Sequence, residues 1–158
     1  MKKFKLFLMA SLMLGVVACS SDNDEPKVEK MKTVTIEIER TGEWLDYLEE
    51  SIFISVTDKT VDYSKAEWGN LHDNLDGTYN FGKTIHDVKE KQVITFKQKN
   101  VNFKMFSTYQ TKVDVPEEQK DEITFDTKVV FKIDGKVISE KVHEFKTHIQ
   151  YLHLQYPN

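Results

Sequence analysis

The sequence predicts an all-β fold, an immunoglobulin-like antiparallel β-sandwich of about seven strands. Three observations carry this reading. Apolar and polar residues alternate with a period of two in one segment after another. An Asp-Gly pair separates two such segments, as in a tight hairpin. No stretch of twelve or more residues has a helical period. A small closed β-barrel fits the same pattern and stands as the alternative. The Cys-Trp-Cys hallmark of antibody domains is absent, so "immunoglobulin-like" describes architecture only.

The strands follow in order. Over residues 33–39, Val34, Ile36 and Ile38 share one face, with Thr35, Glu37 and Glu39 on the other. Residues 51–57 repeat the pattern with Ile52, Ile54 and Val56. Residues 92–98 contribute Ile94 and Phe96, and residues 101–109 contribute Val101, Phe103 and Met105. Lys99-Asn100 lies between these two without a glycine. Ile123, Phe125, Val129, Phe131 and Ile133 alternate up to Asp134-Gly135, after which residues 136–146 return. A type I′ turn there places Phe131 opposite Ile138 and Asp126 opposite His143. A last strand over residues 148–156 puts Leu152 and Leu154 on one face and Ile149 and Tyr151 on the other. Residues 41–50 have room for one short helical turn, since Trp44 and Leu48 are four apart. Residues 58–90 are the least regular. A loop of that length is functional or hides strands, and residues 78–81 read as one. There is no internal repeat.

The chain has 158 residues, which points to one folded domain. At that size about two-thirds of the unfolded surface is buried, so folding needs neither disulfide nor structural metal. Cys19 is the single cysteine, which excludes a thiolate metal site or a Cys nucleophile in the folded part. The charge is −4, and Arg40 is the one arginine. Nucleic-acid binding depends on clustered Lys and Arg, so that class is set aside.

The N-terminus carries an address. Lys2, Lys3 and Lys5 form a basic head, and residues 6–17 are an uncharged apolar run broken by Ser11 and Gly15. Twelve helical residues span about 18 Å, too short for a bilayer core of about 30 Å. This is a signal peptide rather than a permanent membrane span. It closes with Val16-Val17-Ala18-Cys19, which resembles the lipobox of bacterial lipoproteins. The resemblance implies cleavage between Ala18 and Cys19, a diacylglycerol on the Cys19 sulfur and acylation of the new amine. One chain anchors marginally, whereas two or three make release very slow. Without the leader's three lysines, 19 basic residues face 26 acidic ones, a charge of −7.

Ser20-Ser21-Asp22-Asn23-Asp24-Glu25-Pro26 has no apolar residue and reads as a solvated tether. It also resembles the acidic export tails of surface lipoproteins in one group of Gram-negative bacteria. That resemblance implies an outer-membrane protein facing outward, with the periplasmic face as the alternative. The expected organisation is a leader over 1–18, a lipidated tether over 19–31 and a sandwich over 32–158.

The chemistry-bearing residues are sparse. His72-Asp73-Asn74-Leu75-Asp76-Gly77 is set out partly like a calcium loop, but position one is His72 and position twelve is Lys83. A turn on Asp76-Gly77 is the plainer reading. His143, His148 and His153 are five apart, which alternates their faces on a strand. No metal site and no cofactor is expected. The acids Glu43, Asp46, Glu49 and Glu50 show no catalytic pattern, and there is no nucleophile elbow or phosphate loop. Trp44, Tyr47, Trp68 and Tyr79 lie in or near connections. They either plug the sandwich or stack on a sugar or a protein partner.

The expected function is therefore non-catalytic: ligand or partner binding, or envelope assembly, by a membrane-anchored sandwich, with a glycan or a protein as ligand. A small envelope hydrolase is the alternative from another class. A structural subunit pairing through an exposed edge strand is the third.

Overall fold

The structure, a computed structural model, describes residues 30–42, 44–63, 68, 71–120, 122–145 and 149–157. The leader, Ala18, Cys19 and the tether up to residue 29 lie outside the described residues, as do Glu43 and His148.

Nine strands are described. They are β1 (Lys32–Thr41), β2 (Leu48–Val56), β3 (His72–Asp73), β4 (Tyr79–Ile85), β5 (Lys91–Gln98), β6 (Phe103–Thr111), β7 (Phe125–Ile133), β8 (Lys136–Phe145) and β9 (Ile149–Tyr156). A single 3-10 turn, Leu45–Tyr47, stands where the Trp44–Leu48 spacing predicts one. A short helix α1, Glu117–Lys120, precedes β7. Two strands beyond the seven lie in the irregular segment 58–90: β4, where residues 78–81 predict a strand, and the two-residue β3.

The strands form two separate antiparallel sheets, one of order β5-β1-β7-β8 and one of order β3-β4-β2-β6-β9. The fold is thus a β-sandwich and not a closed barrel. The order of β1, β2, β4, β5, β6 and β9 matches strands B, C, C′, E, F and G of an immunoglobulin domain. The β7–β8 hairpin takes the place beside β1 that strand A takes there.

Residues 99–102 are not a hairpin turn. They carry the chain from β5 in one sheet to β6 in the other. The buried Gln98 side chain closes this corner, donating to the Asn102 carbonyl and accepting from its N–H, each at 3.3 Å.

The β7–β8 turn has positive φ at Asp134 (48°) and Gly135 (81°), the type I′ geometry that Asp-Gly favours. The predicted pairing holds only for the first two rungs, Ile133 with Lys136 and Lys132 with Val137. A bulge then shifts the register by one. Phe131 faces Ser139 instead of Ile138, and His143 faces Thr127 instead of Asp126. The shift has a clear physical gain. It turns Phe145 inward to stack on Phe125 at 4.7 Å, where the unbulged register would have pointed Glu144.

The core is a file of aromatic rings drawn from alternate sheets. Phe81, Phe96, Phe103, Phe131 and Tyr156 follow one another with centroids 5.1–5.5 Å apart, mostly edge to face. They come in turn from β4, β5, β6, β7 and β9. Aliphatic residues of β1 and β2 pack around the file.

Toward the β1–β2 connection the core becomes polar. Arg40 continues the parity of Val34, Ile36 and Ile38, and Glu50 that of Ile52 and Ile54, so both point inward. They are 1% and 0% exposed and form an ion pair between the two sheets. Arg40 also donates to the Tyr109 hydroxyl (3.0 Å), the Lys89 carbonyl (2.9 Å) and Gln92 Oε1 (2.9 Å). Ser107 donates to the other Glu50 oxygen at 2.5 Å. Burial pushes the Glu50 carboxyl up, and Arg40 and Ser107 oppose it. Burial also raises the Tyr109 hydroxyl, so it stays protonated.

Removing one member of such a pair strands a buried charge. Arg40→Met is expected to cost about 3–5 kcal/mol. The double variant Arg40→Met/Glu50→Leu is expected to recover most of that loss, because no lone charge remains. Urea denaturation of the three proteins checks the order. Additive losses in the double variant would refute the account.

Candidate functional site

Strand alternation decides which side chains leave the core. In β2 the outward positions are Glu49, Ser51, Phe53 and Ser55, and in β6 they include Lys104, Phe106 and Thr108. Phe53 lies directly opposite Phe106, and Phe106 opposite His153 of β9. Tyr151 is two residues from His153 on the same face.

Phe53, Phe106 and Tyr151 are 51%, 47% and 75% exposed. The Phe106 and His153 rings stack at 4.7 Å with only 4° between planes. That distance is the spacing of neighbouring strands, so the rings stand upright as a ridge. On the other side Phe53 faces Gly82 of β4. A Cβ at Gly82 would lie 2.7 Å from the Phe53 ring and 2.5 Å from the Ile52 carbonyl, so only glycine admits the ring there. The result is an apolar strip across four strands. Hydroxyls flank it, with Ser51 and Thr84 hydrogen bonded at 3.1 Å.

The four aromatics singled out in the sequence do not converge. Trp44 and Tyr47 pair at 5.5 Å around the 3-10 turn, with buried Leu45 beneath. Tyr79 lies at the opposite end of β2, across from Val56. Trp68 is 6% exposed and packs on Phe81 at 6.2 Å, in the manner of the plugging alternative. Phe53 and Phe106 are the residues that sequence reasoning missed. Their signal was an apolar residue at the wrong parity, Phe53 between Ile52 and Ile54, and Phe106 after Met105.

The carboxylates of the irregular loop serve its own turn. Asp73 accepts from the Leu75 N–H at 2.8 Å, and Asp76 from the Thr78 N–H and hydroxyl at 2.9 and 2.6 Å. Those bonds hold Asp76 below the ordinary carboxylate range. Glu49 is lowered by hydrogen bonds from His86 (2.8 Å) and Gln110 (3.2 Å). Among the described residues, no group of three or more His, Cys, Asp or Glu side chains is placed to hold a metal ion.

Among the described residues, β8 has no strand on its outer side. Its core-facing positions opposite Phe131, Val129 and Thr127 are Ser139, Lys141 and His143. Inward polar and charged residues of this kind discourage edge-to-edge pairing.

Two packed antiparallel sheets define the class, a β-sandwich domain bearing one aromatic face. No protein-family model matches the chain, and no curated protein matches it. Its fold is similar to that of a DUF4425 family protein from Bacteroides ovatus, with a TM-score of 0.51 and 12% identity over 82% of this chain and 98% of that one. A DUF4425 domain of unknown function from Bacteroides vulgatus aligns with a TM-score of 0.49 and 14% identity, over 81% and 97%. At such identities the likeness is one of fold.

His143 is half-buried, and desolvation, with Lys141 beside it, holds its pKa below the ordinary 6.5. The unfolded chain therefore takes up this proton more readily. The stabilisation is complete above pH 6.5 and is lost as pH falls through the folded-state value. NMR titration is expected to place His143 below 6.5, with Lys141→Gln moving it part of the way back. A His143 titrating at or above 6.5 would contradict this.

Proposed function

We propose that this is a lipid-anchored outer-membrane protein whose sandwich binds a glycan or a protein at the cell surface without catalysing a reaction. The observation that carries the binding role is the aromatic strip Phe53–Phe106–His153 with Tyr151. Strand alternation puts polar residues at such positions in a sheet with one wet face. A contiguous apolar patch there marks an interaction surface. Rigid aromatics give contact area at low entropic cost, and the flanking hydroxyls supply hydrogen bonds. The Trp44–Tyr47 pair offers a second, smaller aromatic surface at the sandwich end.

The anchoring half of the proposal rests on the lipobox ending at Cys19 and the acidic tail after it. Placement on the periplasmic face is the alternative. With Cys19 lipidated the protein is expected in the envelope fraction, and Cys19→Ser in the soluble one. Mass spectrometry of the native form is expected to reveal fatty acyl groups. A native form without them would refute the anchor.

The binding half is tested by glycan-array and envelope-protein screens. Phe53→Ser/Phe106→Ser is expected to lose about 2 kcal/mol or more of binding to any hit. Trp44→Ala serves as the comparison at the sandwich end. Unchanged binding in the double phenylalanine variant would exclude the strip.

A further inference from the structure

The sandwich has a groove along one side that the proposed function does not use. β4 contributes Lys83 and Ile85, and β5 contributes Lys91, Gln92 and Val93. Asp87 and Lys89 come from the connection between these strands, and Trp68 also lines the space. Its volume is about 210 Å³. Lys83 shares the inward parity of Phe81 and Ile85, an unusual register for a lysine unless the sandwich is open there.

The polar groups around this groove are nearly all donors. Among the described residues, the Lys83 and Lys89 side chains have no ion pair or hydrogen bond. Lys91 reaches Glu39 at 3.1 Å, and Asp87, the one acid among the described lining residues, lies 3.9 Å from Lys112. Gln92 adds an amide donor. Its Oε1 accepts from buried Arg40 at 2.9 Å, which fixes the oxygen end of the amide. Among the described residues, Nε2 has no acceptor, so its hydrogens can reach a ligand. Two unpaired ammonium groups, Lys83 and Lys89, and an oriented amide thus line one groove, with ion-paired Lys91 at its rim, in a chain where acids outnumber bases by 26 to 22.

We propose that this groove binds a single oxyanion group, a carboxylate, sulfate or phosphate ester, carried on a larger molecule. The donor set supplies charge-assisted hydrogen bonds to such a group. The volume is below the range of about 300–1,000 Å³ that holds a drug-sized ligand, so one group enters and the rest of its carrier stays outside.

The test uses the protein with Trp44→Phe, so that Trp68 is the sole tryptophan reporter. It is titrated at low salt with a glucuronate disaccharide, a sulfated disaccharide, glycerol phosphate and a neutral disaccharide of the same size. Binding of at least one anionic probe is expected, weakening as salt rises, with none by the neutral probe. The tightest probe distinguishes an acidic sugar from a phosphate ester as the source. Lys83→Gln/Lys89→Gln is expected to weaken binding about tenfold or more. Lys136→Gln/Lys141→Gln removes the same charge from β8 and is expected to leave binding unchanged. The Gln92 side-chain amide resonance is expected to shift on titration. The proposal is overturned if no anion binds by about 10 mM. Equal losses in the two lysine variants, or a stationary Gln92 amide, would overturn it too.

Discussion

One ion pair sets the terms for this fold. Arg40 and Glu50 come from adjacent strands in sequence that lie in opposite sheets, and they meet inside the sandwich. Burying two charges is costly, and packed apolar residues often do as well or better. What the pair adds is direction. Its guanidinium ties β1 to Tyr109 of β6, to Gln92 of β5 and to the carbonyl of Lys89. One side chain thereby holds the ends of both sheets in a single relative position.

The sequence reading reached the architecture because the period-two signal is strong wherever one sheet face is buried. It reached the Asp134-Gly135 turn because few residue pairs tolerate two positive φ angles in succession. It missed the bulge after that turn, since nothing local in Val137-Ile138-Ser139 marks it. The reason for the bulge is Phe145, seven residues away from Ile138. It missed β4 beyond residue 81 because Gly82 and Lys83 break the expected pattern, one to admit the Phe53 ring and the other to line an open groove. Arg40 and Glu50 were legible in principle. Each extends its strand's core face by one step, yet charge argued for solvent at both.

The two outer faces of the sandwich differ in their rings, although the four-stranded sheet also exposes Val93, Val137 and Val142. On the four-stranded sheet, Lys91 pairs with Glu39 at 3.1 Å, Lys128 with Glu140 at 2.7 Å and Lys132 with Glu37 at 2.5 Å. Exposed pairs of this sort add little stability, but they keep a surface hydrated. The five-stranded sheet instead carries rings at equivalent positions. This contrast argues that its aromatic residues are more than leftover hydrophobicity.

The aromatic file through the core has a consequence for how the chain reaches its native state. Because successive rings belong to opposite sheets, neither sheet has a nucleus it can complete alone. The closing contacts are also distant in sequence, as where Thr33 meets Asp134 across 101 positions. Forming such contacts means closing long loops before any reward arrives, so acquisition of structure is slow and all-or-none. A chain that has not yet laid β9 against β6 lacks Tyr156, and the Phe131 ring has no partner on that side.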